Sequence, residues 1–192
     1  KRQAFGGPIF LASPPDAPLG STWAEFRGGV EAPIYQHGST SFSEWQIIRN
    51  RSAPWAEISS DQFIMSVPSS EIRGLDNPEE LMDFWVEALE MEHELYGFIP
   101  WPRIERAAFD IQISAGWMHS GYPFMAHLVS AQEAVDLEHM ESEGSWGMFH
   151  ELGHNHQWNP SRLPGTTETT CNFASVYLMA VSYTHLTLPT TP

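Results

Sequence analysis

The chain has 192 residues, with 24 acidic and 9 basic side chains, a formal net charge of −15, 42% apolar residues and one cysteine. A charge of that sign argues against nucleic acid as the main partner, because phosphate recognition needs basic patches. The lone Cys171 excludes an internal disulfide framework, and no apolar run approaches the roughly 18 residues of a membrane span.

In chain order, Pro8–Ala12, Ala32–Tyr35 and Gln62–Val67 are short apolar stretches between turn residues and read as strands. They predict a β-rich subdomain over residues 1–75. The charge changes at the same place: residues 1–75 hold 7 acids and 6 bases, whereas 76–151 hold 16 acids and 2 bases. A helix is predicted from Asn77 as its cap, with Pro78 in the first turn and Glu80 at capping-box spacing. Its apolar stripe is Leu81, Trp85, Ala88, Leu89, Met91 and Leu95, its acids form a solvated face, and it stops near Gly97. Ala108–Ser114 alternates strictly, with Phe109, Ile111 and Ile113 on one face, and predicts a half-buried strand. A loop rich in glycine and aromatics, Ala115–Pro123, follows it. Residues 131–142 read as a short acidic helix, and the next helix starts near Ser145.

Val181–Thr190 resembles the translation of a transposon-type sequencing adapter, the alternative being an ordinary Thr-rich tail. Residues 181–192, with His185, are therefore set aside as a non-native tail. Lys1 stands where a start Met is expected and no signal pattern follows it. The expectation is a natural segment, residues 1–180, truncated at both ends.

The chemistry sits at His150-Glu151-Leu152-Gly153-His154. On a helix, positions i and i+4 lie one above the other, so both imidazoles reach one metal ion. Glu151 points roughly 100° further around the axis, beside the ion and not on it. There a carboxylate can take the proton of a water activated by zinc. The bland alternative is a surface His–Glu–His turn.

A catalytic zinc needs a third protein ligand. His156 faces the other side of the helix, and Gln157 and Pro160 stand where the metzincin pattern requires Gly and His. Glu168 is the better choice: Pro160, Pro164 and Gly165 turn the chain, and Thr166 or Thr167 can cap a second helix with Glu168 in its first turn. The competing role for Glu168 is a carboxylate stabilising that helix N-terminus. Asn172, one turn further on, can accept the free ring N–H of a ligand histidine. Glu90-x-x-His93 and Glu151-x-x-His154 also match the half-motif of di-iron bundles, but strands fill too much of the chain for four converging helices. His37, His93, His127 and His139 have no partner pattern and read as structural.

Trp146–Gln157 followed by Thr167–Asn172 resembles the enhancin-like zinc metallopeptidases (peptidase family M-sixty and M-sixty-like), which pair HExxH with a downstream glutamate, often in a T-E-x-T-x-N context. The similarity extends to Ala53–Glu57, Ser66–Ser70 and Asp110–Pro123, so it covers most of residues 30–180. The same stretch is similar to the peptidase-like domain of the animal TRP-channel-associated factors. The resemblance implies an α+β fold, a β-rich N-terminal portion followed by a mainly helical, gluzincin-like catalytic domain over residues 76–180. It implies Zn2+ on His150, His154 and Glu168, with Glu151 as general base and acid.

The resemblance further implies protein substrates of the mucin-like or other O-glycosylated kind, and action outside the cell or at its surface. In related zincins a strand above the metal helix pairs with the extended substrate, and 108–114 is the natural candidate. The loop after it offers Tyr122 or His119 as an oxyanion donor, or else its aromatics simply pack it. The rival of a different class is a peptidase-like interaction module, channel-associated or glycan-binding, without significant hydrolysis. The intact His150, Glu151, His154 and Glu168 set favours the enzyme, since a binding module has no need of Glu151.

Overall fold

The computed structural model describes residues 7–11, 20–21, 23–97, 103–158, 160 and 162–187, with side chains as far as residue 180. Among them, six strands form one mixed sheet: β1 (Ile34–Gln36), β2 (Trp55–Ser59), β3 (Phe63–Pro68), β4 (Glu105–Asp110), β5 (Met118–His119) and β6 (Phe124–His127). Their spatial order is β1-β2-β3-β4-β6-β5. The β2 and β3 strands make an antiparallel hairpin, closed by Ser60 Oγ accepting from the Phe63 and Gln62 amides at 3.0 and 3.2 Å. Next, β3 lies parallel to β4, β4 parallel to β6, and β5 returns antiparallel along β6 as the sheet edge.

The helices are α1 (Phe42–Ile48), α2 (Ser69–Ile72), α3 (Pro78–Tyr96), α4 (Ala131–Ala134), α5 (Leu137–Ser142), α6 (Trp146–His156) and α7 (Thr167–Thr187). Helix α3 places Leu81, Met82, Trp85, Ala88 and Leu89 against the sheet. There Phe63, Met65 and Val67 alternate inward from β3, Ala107 and Phe109 from β4, and Phe124 and Ala126 from β6. Trp85 is the hub: its ring lies 5.0 Å from Phe63 and 6.2 Å from Phe149 of α6, and its indole N–H donates to the Ala134 carbonyl at 3.1 Å. Burying the ring while partnering its one polar atom is what lets tryptophan occupy a core. Truncating such a residue costs about 3–5 kcal/mol.

The architecture is α+β, as the sequence predicts, and the sheet takes strands from both sides of residue 76. The change of pattern there marks the start of α3, while β3 and β4 pair across it. Helix α3 begins and ends where expected, with Gly97 at φ 68° turning the chain out of the helix. Asn77 does not cap its backbone; the amide instead donates to Glu80 Oε2 at 2.6 Å.

Four other expectations need correction. The strand expected at 108–114 runs over Glu105–Asp110, because its pairing partners in β3 start opposite Glu105 and Asp110 Oδ1 accepts from the Gln112 amide, turning the chain. Ile111 is left 54% exposed. The acidic helix over 131–142 is broken into α4 and α5 at Val135–Asp136, where Asp136 accepts from the His139 amide and caps α5. Residues 8–11 are exposed and form no strand, and Ala12 lies outside the described residues. The stretch expected at Ala32–Tyr35 starts later, as β1.

Candidate metal centre

Helix α6 turns Met148, Phe149 and Leu152 into the core, which leaves His150 and His154 one turn apart on its other side. Helix α7 packs against α6 at Gly153. A Cβ there would stand 2.8 Å from the Cys171 carbonyl oxygen and 2.9 Å from the Ala174 Cβ. This close approach brings the first turn of α7, and Glu168 with it, over the histidine pair. Ser175 Oγ donates to the Trp146 carbonyl at 3.0 Å and fixes the same two helices at the other end of α6.

Both imidazole Nε2 atoms converge on one oxygen: Glu168 Oε2 lies 3.2 Å from His150 Nε2 and 3.3 Å from His154 Nε2. Ligands held roughly 2.0–2.1 Å from a tetrahedral ion sit about 3.3–3.4 Å from one another. Both histidine–glutamate separations therefore match those of ligands sharing one divalent ion. Asn172 Oδ1 is 2.6 Å from His150 Nδ1, accepting its proton and leaving Nε2 as the lone pair. A residue that sequence reasoning missed serves the other histidine: the Gln157 amide lies 2.6 Å from His154 Nδ1.

Cys171 also borders the group, and the ligand atoms of all four residues lie within 4.8 Å of one another. Its Sγ is 3.4 Å from His150 Nδ1 and 3.5 Å from both His150 Nε2 and His154 Nε2. It donates to the Glu168 carbonyl at 3.1 Å. Burial, with the Glu168 and Glu151 carboxylates adding to it, pushes the thiol up to about 12, so at neutral pH it is a packed, protonated S–H.

Glu151 is 9% exposed, and its carboxylate has no hydrogen-bond partner among the described residues. It opens on a cleft of about 540 Å³ between β5 and the start of α6. The strand beside this cleft is β5, the sheet edge. The strand nominated from sequence, 108–114, cannot take an incoming chain, because β4 is flanked on both sides by β3 and β6.

His119 has both ring nitrogens engaged, Nε2 with Ser114 Oγ at 2.9 Å and Nδ1 with the Ser120 carbonyl at 3.0 Å. Tyr122 is half exposed, with the Arg103 guanidinium 4.3 Å from its ring centre. Their loop is tied to the metal helix by Asn155. Its Oδ1 accepts from the Gly121 amide at 2.9 Å, and its Nδ2 donates to the Gly121 carbonyl and to buried Glu105, both at 3.0 Å.

Behind the metal face, His156 and Glu92 are fully buried, with His156 Nδ1 2.5 Å from Glu92 Oε2. Burial, reinforced by Glu105, raises the Glu92 carboxyl well above its usual range; burial depresses His156 to about 4. The pair is thus a neutral carboxylic acid donating to a neutral imidazole.

The description "Peptidase M60, enhancin and enhancin-like" matches residues 28–187. The chain belongs to that family. Within it, the chain is 46% identical over 178 residues to a TRPM8 channel-associated factor homolog from Xenopus laevis, which covers 91% of the chain and 20% of that protein. It is 42% identical over 177 residues to TRPM8 channel-associated factor 2 from Mus musculus, again over 91% of the chain and 19% of the relative.

Among solved structures it is similar to the M60 catalytic domain of Clostridium perfringens ZmpC in complex with the sialyl T antigen. There the TM-score is 0.62 at 14% identity, over 79% of this chain and 33% of that one. A functionally unknown conserved protein from Bacillus anthracis str. Ames gives a TM-score of 0.69 at 20% identity, over 78% and 34%. The chain therefore spans about a fifth of the length of its curated relatives. The family places the chain among metallopeptidase-like domains, and the likeness to the solved structures shows the M60 fold.

Proposed function

We propose that this domain is a zinc-dependent endopeptidase in which His150, His154 and Glu168 hold the ion and Glu151 is the general base and acid. The observation that carries the reading is Glu151 itself, next to His150 in the chain, a carboxylate nine-tenths buried, without a partner among the described residues and open to the cleft between β5 and the start of α6. When bound, zinc supplies Lewis acidity and makes a water nucleophilic at neutral pH. Glu151 would take a proton from the attacking water and pass it to the leaving amine. Asn172 holds His150 in the tautomer the ion requires, and Gln157 would do the same for His154 once its amide turns to present Oε1 to Nδ1. An extended substrate lies along the outer edge of β5, where backbone groups are open to pairing. Tyr122 serves as oxyanion donor in preference to His119, whose ring nitrogens are already engaged.

Mucin-like or other O-glycosylated proteins, met outside the cell or at its surface, are the proposed substrates. The family resemblance supports this, as does the sialyl T antigen bound to the ZmpC catalytic domain. The curated relatives named as TRPM8 channel-associated factors favour a second reading, a peptidase-like interaction module. Zinc analysis and mucin digestion of the full-length protein, beside Glu151→Gln, separate the two. Cleavage by wild type and loss in the variant, at equal zinc content, supports the peptidase. Equal zinc and equal inactivity replaces it with the module.

A further inference from the structure

We propose that Arg103 is a positioning residue for Tyr122, holding the ring of the nominated oxyanion donor in a place set by the metal helix. This deepens the peptidase reading and rests on it for what the Tyr122 hydroxyl does. The guanidinium carbon of Arg103 lies 4.3 Å from the centre of the Tyr122 ring, a cation on an aromatic face. The ring is 51% exposed, and stacking at so open a place is too weak to fix a long side chain by itself.

Glu105 supplies the rest of the grip. It is buried at the start of β4, and each carboxylate oxygen has its own partner: Oε1 accepts from Arg103 Nη2 at 3.3 Å and Oε2 from Asn155 Nδ2 at 3.0 Å. A carboxylate that has lost its water needs donors and a cation instead, so Arg103 cannot swing away without stranding a buried charge. The same Asn155 also binds both backbone groups of Gly121, the residue before Tyr122, at 2.9 and 3.0 Å. Tyr122 is thus held twice from α6, through its backbone by way of Gly121 and through its ring by way of Glu105 and Arg103. Asn155 directly follows His154 in the chain, so one helix carries a metal ligand and the anchor of the ring. An oxyanion donor works only if it is in place before charge develops. A lysine here would still neutralise Glu105, but without the flat face that lies on the ring.

The test uses the full-length, zinc-loaded protein with Arg103→Gln, Arg103→Lys, Tyr122→Phe and the double variant Arg103→Gln/Tyr122→Phe, each checked for zinc content and by circular dichroism. Tyr122→Phe keeps the ring and should lower kcat about 10²–10³-fold. Arg103→Gln should lower kcat about 10–100-fold with KM little changed. It should have no further effect in the Tyr122→Phe background, because it acts through the hydroxyl. Arg103→Lys keeps Glu105 partnered, so it should recover stability but not kcat, and it carries the comparison if the glutamine variant does not fold. Amide exchange reads the same contact without turnover: loss of the guanidinium should speed exchange over residues 120–124 and leave α6 protected. An equal fall in kcat with and without the Tyr122 hydroxyl overturns the proposal, as does full kcat in Arg103→Lys or unchanged exchange over 120–124. If the wild type cleaves nothing at full zinc, the peptidase reading fails, and the exchange result alone decides whether Arg103 holds Tyr122.

Discussion

Gln157 holds His154 from the end of the same helix, its side-chain amide 2.6 Å from His154 Nδ1. The amide can serve the ring in two orientations. With the nitrogen toward the ring, it donates to Nδ1 and the imidazole proton sits on Nε2. Turned by half a rotation, Oε1 accepts from Nδ1–H and frees the Nε2 lone pair for a cation. Metal loading selects the second arrangement, which matches the one Asn172 already gives His150.

Removing that acceptor is therefore expected to weaken metal binding without unfolding the domain. Gln157→Leu should lower affinity about 10–100-fold, whereas Gln157→Glu, which keeps an acceptor, should hold it near wild type. Competition against a chromophoric chelator reads both. Unchanged affinity in Gln157→Leu would show that the amide does not set the tautomer.

Asn155→Ala should loosen the loop that carries His119 and Tyr122. The substitution releases both backbone groups of Gly121 and leaves buried Glu105 short of a donor. A stability loss of about 1–3 kcal/mol is expected. Faster hydrogen exchange at the Gly121 amide is the specific sign, and protection equal to wild type would refute the clamp.

The Glu92–His156 pair predicts a pH profile of stability. In the folded state it holds one proton, on Glu92. The unfolded chain also holds one between about pH 4.5 and 6.5, as a carboxylate and an imidazolium, so the pair contributes no slope there. Above 6.5 the unfolded imidazolium loses its proton, and stability falls as pH rises, by about 1.4 kcal/mol per unit, until the raised Glu92 carboxyl of the folded state gives up its own. Below 4.5 the unfolded glutamate is protonated too, giving the unfolded pair two protons while folded His156 stays neutral until about 4, so between these values stability falls as pH drops. Glu92→Gln keeps a donor to His156 and should flatten the alkaline decline in urea titrations. An identical decline in the variant assigns it to other groups.

Gly153→Ala should affect stability and metal affinity together. The added methyl meets the Cys171 carbonyl oxygen at 2.8 Å, and α7 must shift to admit it. Overpacking of this kind costs about 1–3 kcal/mol. Since Glu168 rides on the same helix, a loss of stability with no change in metal affinity would mean that the helix spacing does not position the ligand.

The elements legible in the sequence are those whose signals are local. Pro78 and Gly97 bracket α3, and the four-residue spacing of His150 and His154 survives any detail of packing. Helix α1 announced itself too, through a Ser41–Glu44 capping box that reading by apolar stripe passed over, because the helix buries only Trp45. Strand β2 alternates Ala56 and Ile58 inward, but five residues beginning just after Pro54 give a weak period. Other features depend on residues far apart in the chain and have no sequence signature. Glu92 meets His156 across 64 positions, and Asn155 meets Gly121 across 34. The strand at 105–110 was displaced for the same reason, since alternation continues to Ile113 while the pairing partners do not.

The sheet ends in very short strands on both sides, three residues in β1 and two in β5. Long flat edges invite other copies of a chain to add on and aggregate. Here the open edge that lies by the cleft is just wide enough to align a few residues of a guest backbone and too short to seed a growing ribbon. Among the described residues both edges thus offer only two or three residues of open backbone, and the one at β5 is where the proposed guest chain would be received.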